Sequence, residues 1–352
     1  MANSQSMPSS VAVVIVNYCT RELLRDCLHS LEQHGTTGME IIIVDNHSSD
    51  GSAEMVSAEF PRVRLIQNSE NRGFSAANNQ GIKEAQGKYV LLLNSDTLVL
   101  PGALTAMADF MDQNPDCGAA GCRLVCADGR IQISSGGEAS LGIARVIVRL
   151  SGVARLVPGD AGRRLLRRYL GFALGRTLRA CLEPYGTDES PLEVDLLSAA
   201  CLMLRRDAIH EVGLLDERFF MYLEDLDYSL RFRKAGWKLH YLPTVGIIHL
   251  VGKSSGGRMR QYSAQAYDSL FYFYKKHRSP STVLIVRGLV LLAFCCRWVA
   301  ALLAGIFSTR SIYRKNRSDI ATVIRLGWRW TSSPQDPPVQ TPPAVLTTGR
   351  TN

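Results

Sequence analysis

The sequence has no G-x-G-x-x-G after its first strand-like run, no paired C-x-x-C and no basic, apolar leader at its start. Each absence removes a class of reading. Without a glycine fingerprint after Val11 to Val16, a dinucleotide-dependent oxidoreductase has no turn for its pyrophosphate. Nine cysteines are an odd number with no regular framework. Cys117, Cys122 and Cys126 follow C-x4-C-x3-C, which lacks the paired spacing of a zinc site, so buried free thiols in a reducing compartment are the expectation. Met1 to Ser10 is polar, so no secretory signal is expected and the protein should stay in the cytoplasm.

What is present fits a large α/β protein. A length of 352 residues with 46% hydrophobic content allows one large domain with appendages, or two domains. The net charge of +8 and pI near 9.1 call for an anionic partner. The positive excess gathers in Arg163 to Arg179 and again from Arg287 to Arg329, while the first hundred residues are nearly balanced. That distribution favours an anionic lipid surface at the cytoplasmic face of the inner membrane over nucleic acid.

Hydrophobic periodicity divides the chain. Strands are expected at 11–16, 39–44, 63–67, 89–93 and 117–125, with helices at about 20–34, 52–60, 73–85 and 103–112 between them. Such alternation predicts a doubly wound, mostly parallel sheet with right-handed crossovers. Residues 139–190 break the pattern. There Arg163-Arg164-Leu-Leu-Arg167-Arg168 reads as a solvated helix, a lipid-facing helix or a mobile insertion. Order resumes with a strand over 194–204, a helix over 207–212, a helix over 222–234 and two strands, 239–242 and 246–249. An aromatic helix covers 267–276. The apolar run Thr282 to Phe307, broken by Arg287 and Arg297, is long enough to span a bilayer, yet the arginines equally suit an interfacial or re-entrant helix, or a core helix. The resulting expectation is a disordered start at 1–10, a catalytic domain at 11–278, a membrane-associated helical region at 279–331 and a disordered tail at 332–352.

The chemistry-bearing residues fall at strand ends and helix starts, where open α/β sheets bind ligands. Asp45 follows the second strand, Asn94-Ser95-Asp96 the fourth and His249 the last, while Glu224-Asp225-x-Asp227 opens a helix. A sugar nucleotide would need such groups. Asp45 can accept from a pyrimidine N3–H, and Arg72 can reach O4 or a phosphate. Asp96 and His249 offer oxygen and nitrogen ligands to Mn²⁺ or Mg²⁺ beside the diphosphate. Asp225 is placed to act as general base on an acceptor hydroxyl. Between Asn68 and Gly81, small residues and side-chain amides at a helix start, among them Asn71, Gly73 and Asn79, suit close approach to a diphosphate or nucleoside. Plainer roles remain open: Asp45 capping the Ser48–Gly51 turn, Glu224 and Asp227 balancing Arg231 and Arg233, His249 a satisfied core histidine.

The ordered series V-I-V-N-Y (14–18), I-I-V-D-N-H-S-S-D-G-S (42–52), N-x-x-N-x-G-F-x-x-A-N-N-x-G (68–81), L-L-L-N-S-D (91–96) and F-F-M-Y-x-E-D-x-D-x-x-x-R (219–231) resembles glycosyltransferase family 2. More narrowly it is similar to the bacterial rhamnosyltransferase branch that builds O-antigen and related glycans. The resemblance implies a GT-A fold, a dTDP- or UDP-sugar donor, a divalent metal and inversion at the anomeric carbon. It places Asp45 and Arg72 on the pyrimidine, with Val16, Asn17, Asn71, Gly73, Asn79, Asn94 and Ser95 as further donor contacts. It makes Asp96 and His249 metal ligands and Asp225, with Glu224 beside it, the catalytic carboxylate pair. Asn94 replaces the first aspartate of the usual D-x-D, which shifts metal binding onto Asp96. Ser198-Ala199-Ala200 stands where Gly-Ala often precedes the acceptor loop. The acceptor implied is a glycan or lipid-linked glycan. Rival readings are a UDP-hexose or galactofuranose transferase of the same fold and a non-catalytic glycan-binding or scaffold protein.

Overall fold

The computed structural model describes residues 11–36, 38–136, 190–250 and 259–307. The expected disordered start and tail, and nearly all of the basic insertion with Arg163 to Arg179, lie outside the described residues. In chain order the elements are β1 (Val11–Asn17), α1 (Arg21–His34), β2 (Glu40–Asp45), α2 (Ser52–Glu59), β3 (Arg64–Gln67), α3 (Phe74–Glu84), β4 (Tyr89–Asn94), β5 (Thr97–Val99), α4 (Ala103–Gln113) and β6 (Cys117–Val125). There follow β7 (Ile131–Gln132), β8 (Ser135–Gly136), β9 (Leu192–Val194), β10 (Leu196–Leu197), β11 (Cys201–Arg205), α5 (Arg206–Val212), α6 (Glu224–Lys234), β12 (Lys238–His249), α7 (Met259–His277) and α8 (Pro280–Phe307).

The main sheet runs β3-β2-β1-β4-β11-β6-β12-β5. Its first four strands are parallel, as are β6 and β12, whereas β11 is antiparallel to both neighbours and β5 to β12. The central strands are covered on both faces, which is why they read as unbroken aliphatic runs: Val11 to Ile15 and Val90 to Leu92 are fully buried. On one face Leu24, Leu28 and Leu31 of α1 meet Val13, Ile15 and Leu91; on the other, Ala77 and Ile82 of α3 meet Val14 and Leu92. The small residues of α3 allow that second contact to be close. A Cβ on Gly81 would lie 2.3 Å from Val14 Cγ1.

Several boundaries depart from the sequence reading for local reasons. The expected strand over 194–204 is three short pieces, because the chain turns at Ser198-Ala199-Ala200 before entering β11. The two strands expected at 239–242 and 246–249 are one, β12, whose register slips between Leu242 and Gly246, where Pro243 supplies no ladder N–H. The helix expected from Tyr222 starts at Glu224, since Tyr222 and Leu223 hold left-handed φ of 71° and 70°. Thr20 precedes α1 but makes no side-chain cap; Asp50 Oδ2 accepts from Arg21 N instead, at 2.8 Å.

Helices α7 and α8 close the described part of the chain. Val286, Val290 and Phe294 of α8 pack on Phe271, Phe273 and Tyr274 of α7, and this cluster reaches Phe219 and Leu230 in the catalytic region. An ion cluster reinforces the joint: Asp227 of α6, fully buried, meets Arg231 Nε at 2.9 Å and, from α7, Lys276 Nζ and His277 Nε2 at 2.7 Å each. Asp227 thus balances Arg231, as one sequence reading had it, while Arg233 pairs with Asp195. Leu284, Ile285 and Leu292 on the outer side of α8 are exposed. Among the described residues no helix is long and apolar enough to cross a membrane; the side chains of residues 297–307 lie outside the described residues. Cys27, Cys117, Cys122 and Cys201 are buried free thiols, whereas Cys295 and Cys296 are free and exposed.

Candidate functional site

A cavity of about 440 Å³ opens where β1 and β4 end. Val16, Asn71, Gly73, Asn94, Ser95, Asp96, Glu224, Asp225 and His249, all anticipated from the sequence, line it. Asn17, Asp45, Arg72 and Asn79 do not. The amide of Asn79 is used elsewhere: Nδ2 donates to Leu215 O and Glu217 Oε1, and Oδ1 accepts from Leu215 N. It therefore holds the loop at 215–217. The Arg72 side chain is exposed, and its backbone N–H donates to Asn46 Oδ1 at 3.0 Å. Asp45 is buried, with Oδ1 accepting from Asn17 Nδ2 and Oδ2 from Ser48 N, so it does brace the turn after β2.

These buried polar groups fix the strand tips. Asn17 Oδ1 accepts from Thr20 Oγ1 at 2.6 Å, and Thr20 Oγ1 lies 2.9 Å from Ser95 Oγ, which ties the end of β1 to the tip after β4. Asn46 organises the other wall. Its Nδ2 donates to Asn71 Oδ1 and Gly73 O, and its Oδ1 accepts from Asn68 Nδ2 as well as Arg72 N. Gly73 is required where it stands. Its φ is +82°, and a Cβ there would lie 2.6 Å from Phe220 O, which itself accepts from Phe74 N at 2.7 Å. The loop at 71–73 is thereby pressed against the segment that leads into Glu224 and Asp225.

Asp96 is the least satisfied group in the site. It is 1% exposed, and neither carboxylate oxygen receives a hydrogen bond. An ionised carboxylate in that position is costly unless a cation answers it. The nearest candidate is His249 Nε2, 3.1 Å from Asp96 Oδ1. Two ligands on adjacent corners of an octahedral Mg²⁺-sized ion lie about 3 Å apart, so this pair fits a shared divalent ion. Among the described residues no group of three His, Cys, Asp or Glu side chains is arranged for a metal. A two-ligand protein site leaves the other positions to diphosphate oxygens and water, the usual arrangement for a Mg²⁺-type ion.

The carboxylate pair opens α6 on the same cavity. Asp225 Oδ1 accepts from Leu226 N at 2.9 Å, and Oδ2 lies 3.4 Å from Ala199 N in the turn between β10 and β11. Glu224 is 6% exposed and its Oε2 has no partner. Burial, then the charges of Asp225 and Asp227, push its carboxyl well above the usual range. Two adjacent acids thus differ in surroundings: burial and neighbouring charge favour the protonated form of Glu224, whereas Asp225 accepts from backbone N–H groups. The left-handed backbone at Tyr222 and Leu223 turns both into the cavity region, a local strain of the kind that collects at working sites.

Sequence reasoning missed Gln132, Asn46 as the loop's organiser, and the Phe220–Tyr222 wall. Gln132 sits in a two-residue strand that has no periodicity to announce it. Asn46 carried a usable signal, an amide directly after a strand-end aspartate.

Comparison with known proteins agrees with the geometry. The family described as Glycosyl transferase family 2 matches residues 10–213. An N-acetylglucosaminyl-diphospho-decaprenol L-rhamnosyltransferase of Mycobacterium tuberculosis is 30% identical over 278 residues, 76% of this chain and 84% of that protein. The O-antigen biosynthesis protein RfbC of Myxococcus xanthus is 26% identical over 245 residues, 67% of this chain but 17% of that protein. Among solved structures, a mannosyltransferase from Pyrobaculum calidifontis, in complex with GDP-Man and Mn²⁺, superposes with a TM-score of 0.50 at 17% identity, covering 93% of this chain and 89% of the other. That likeness shows the fold, GT-A.

Proposed function

The chain belongs to glycosyl transferase family 2, and from that premise we propose that this glycosyltransferase moves L-rhamnose from dTDP-rhamnose to a lipid-linked glycan, with inversion at the anomeric carbon. The observation that carries the reading is the unanswered, buried carboxylate of Asp96 in one cavity with Asp225. The rhamnosyl donor and lipid-linked acceptor rest on the Mycobacterium relative, whose name specifies both an L-rhamnosyl transfer and a diphospho-decaprenol acceptor.

In this mechanism the acceptor hydroxyl attacks the anomeric carbon as the bond to the diphosphate breaks, and Asp225 takes the hydroxyl proton. Asp96 and His249 would hold a divalent cation, which would neutralise the charge developing on the leaving diphosphate. The 71–73 loop, shaped by Asn46, forms the wall against which the donor nucleoside lies, with Val16, Asn94 and Ser95 at the strand ends. Asp45 and Asn17, bonded to each other, fix the tip of β1 beside it. Glu224, whose carboxyl is raised, would in its protonated form donate to an acceptor or sugar oxygen without competing for the proton that Asp225 takes.

The lipid-linked acceptor places the enzyme at a membrane. The docked α8, with Leu284 69% and Leu292 63% exposed on its outer side, supplies an apolar face for the lipid interface. Sedimentation with anionic liposomes, without retention on DNA at physiological salt, is the expected result.

Purified protein given a panel of nucleotide sugars, with Mn²⁺, Mg²⁺ or chelator, tests the whole reading. Turnover of dTDP-rhamnose that chelator abolishes is expected. Turnover of a UDP-sugar instead would keep the fold and mechanism and overturn the rhamnosyl assignment. Donor binding without any turnover, even with a polyprenyl-diphosphate acceptor supplied, would support a glycan-binding protein and remove the enzymatic reading.

A further inference from the structure

His249 ends β12 and Gln132 ends β7, two strands that both flank β6. Gln132 Oε1 lies 2.7 Å from His249 Nδ1, and Gln132 lines the cavity. A carbonyl oxygen only accepts, so Nδ1 must carry the proton in that bond. A second contact leads to the same tautomer from the other side of the ring. Asn94 Nδ2 lies 3.4 Å from His249 Nε2, and an amide nitrogen only donates, so this long contact is a hydrogen bond when Nε2 presents its lone pair. The bare Nε2 then faces Asp96 Oδ1 at 3.1 Å, with two lone-pair bearers side by side in a buried place.

Resting on the metal-dependent reading above, we propose that Gln132 is a positioning residue for the cation site. By accepting from His249 Nδ1–H it fixes the ring's orientation and tautomer, so that Nε2 and Asp96 Oδ1 converge on one divalent ion. Ligating histidines are commonly held in this way by an acceptor on the distal nitrogen, and losing that acceptor typically weakens metal binding about 10–100-fold. Gln132 contributes no ligand of its own and takes no part in the transfer. Its effect passes through His249. No periodicity or charge in the sequence marks it; only the fold sets β7 across β6 from the end of β12.

The test is Mn²⁺ affinity, read by electron paramagnetic resonance on the full chain in the presence of dTDP, for the wild type, His249→Ala, Gln132→Leu and Gln132→Glu. Gln132→Leu removes the acceptor and is expected to weaken Mn²⁺ about 10–100-fold. Gln132→Glu keeps an acceptor for Nδ1–H and is expected to bind within about threefold of the wild type or more tightly. If His249→Ala weakens Mn²⁺ and Gln132→Leu does not, the role of Gln132 is overturned while the metal site stands. If His249→Ala and the wild type bind alike, the metal reading itself has failed, and this inference with it. Should Gln132→Leu not fold, ¹⁵N-histidine spectra of the wild type at mildly alkaline pH decide the matter. A proton on Nδ1 is expected, and a proton on Nε2 alone would overturn the proposal.

Discussion

Asp96 and Asp227 are both buried aspartates at polar ends of regular elements, yet their surroundings are opposites. Asp227 is ringed by Arg231, Lys276 and His277, and those contacts hold its carboxyl down at about 2 despite burial. Asp96 has no hydrogen bond on either oxygen and a single histidine nearby. The first arrangement is complete without a ligand and joins α6 to α7. The second is incomplete, and its incompleteness is what a substrate-borne diphosphate with its cation would answer. Burial and residue type alone do not separate a structural acid from a functional one; the state of its partners does.

That contrast breaks first under substitution. Asp96→Ala should lower transfer by about 10²–10³, as loss of a group that stabilises developing charge does, and weaken metal-dependent donor binding. Its thermal stability should hold or rise, because a buried carboxyl group without hydrogen bonds is removed. Asp225→Asn should lower turnover by about 10²–10⁴ with donor binding kept. A comparable loss of donor affinity in Asp225→Asn would argue against its role as base.

Asp227→Ala should behave in the reverse manner. Removing one partner from a buried ion cluster costs about 3–5 kcal/mol, here loosening α7 and α8 from α6. Denaturant unfolding should report that loss. Whatever transfer activity survives in the folded fraction should keep its metal dependence. A variant as stable as the wild type would show that Arg231, Lys276 and His277 find other partners, and the contrast with Asp96 would lose its basis.

The same cluster has a pH signature. The Asp227 carboxyl is lowered from 3.8 to about 2 in the folded protein. A depressed carboxylate stabilises the fold fully above its unfolded value, and that contribution disappears as pH falls through the folded one. About 2 kcal/mol of stability should therefore vanish between roughly pH 4 and pH 2, and Asp227→Asn should flatten that part of the acid limb. An unchanged limb would mean that another carboxylate dominates there.

How much of this was legible in the sequence depends on range. The strands around Val11 to Ile15 and Val90 to Leu92 announce themselves because burial on both faces demands contiguous aliphatic residues. The members of the cavity were legible as types at strand ends: Asn94-Ser95-Asp96, Glu224-Asp225 and His249. Their convergence was not, because it depends on β12 running beside β5 so that His249 pairs with Thr97. Amides were the least legible. Asn71 and Asn79 occupy one motif, yet Asn71 lines the cavity while Asn79 is spent on residues 215 and 217. Side-chain type cannot distinguish them, since the partner that decides lies 136 positions away. Nor does anything in Tyr222 or Leu223 forecast a left-handed backbone, which follows directly on the Phe220 segment packed at Gly73.

Glu224 offers the finest discrimination within the site. It shares burial with Asp227 and an unpartnered oxygen with Asp96, and its carboxyl is raised rather than lowered. A raised carboxyl favours the fold while the unfolded chain is also protonated, and that advantage is lost as pH climbs above the unfolded value of 4.5. Glu224→Gln keeps the shape and the donor group while removing the ionisable proton. The variant should match the wild type in stability near pH 4 and gain on it toward neutrality, by at most about 1.4 kcal/mol for each pH unit. Transfer should fall by less than about tenfold if, as proposed, the general-base contribution of about 10²–10⁴ is made by Asp225. A loss as large as that of Asp225→Asn would mean that Glu224 must ionise during the reaction, and the assignment of the two adjacent acids would have to be exchanged.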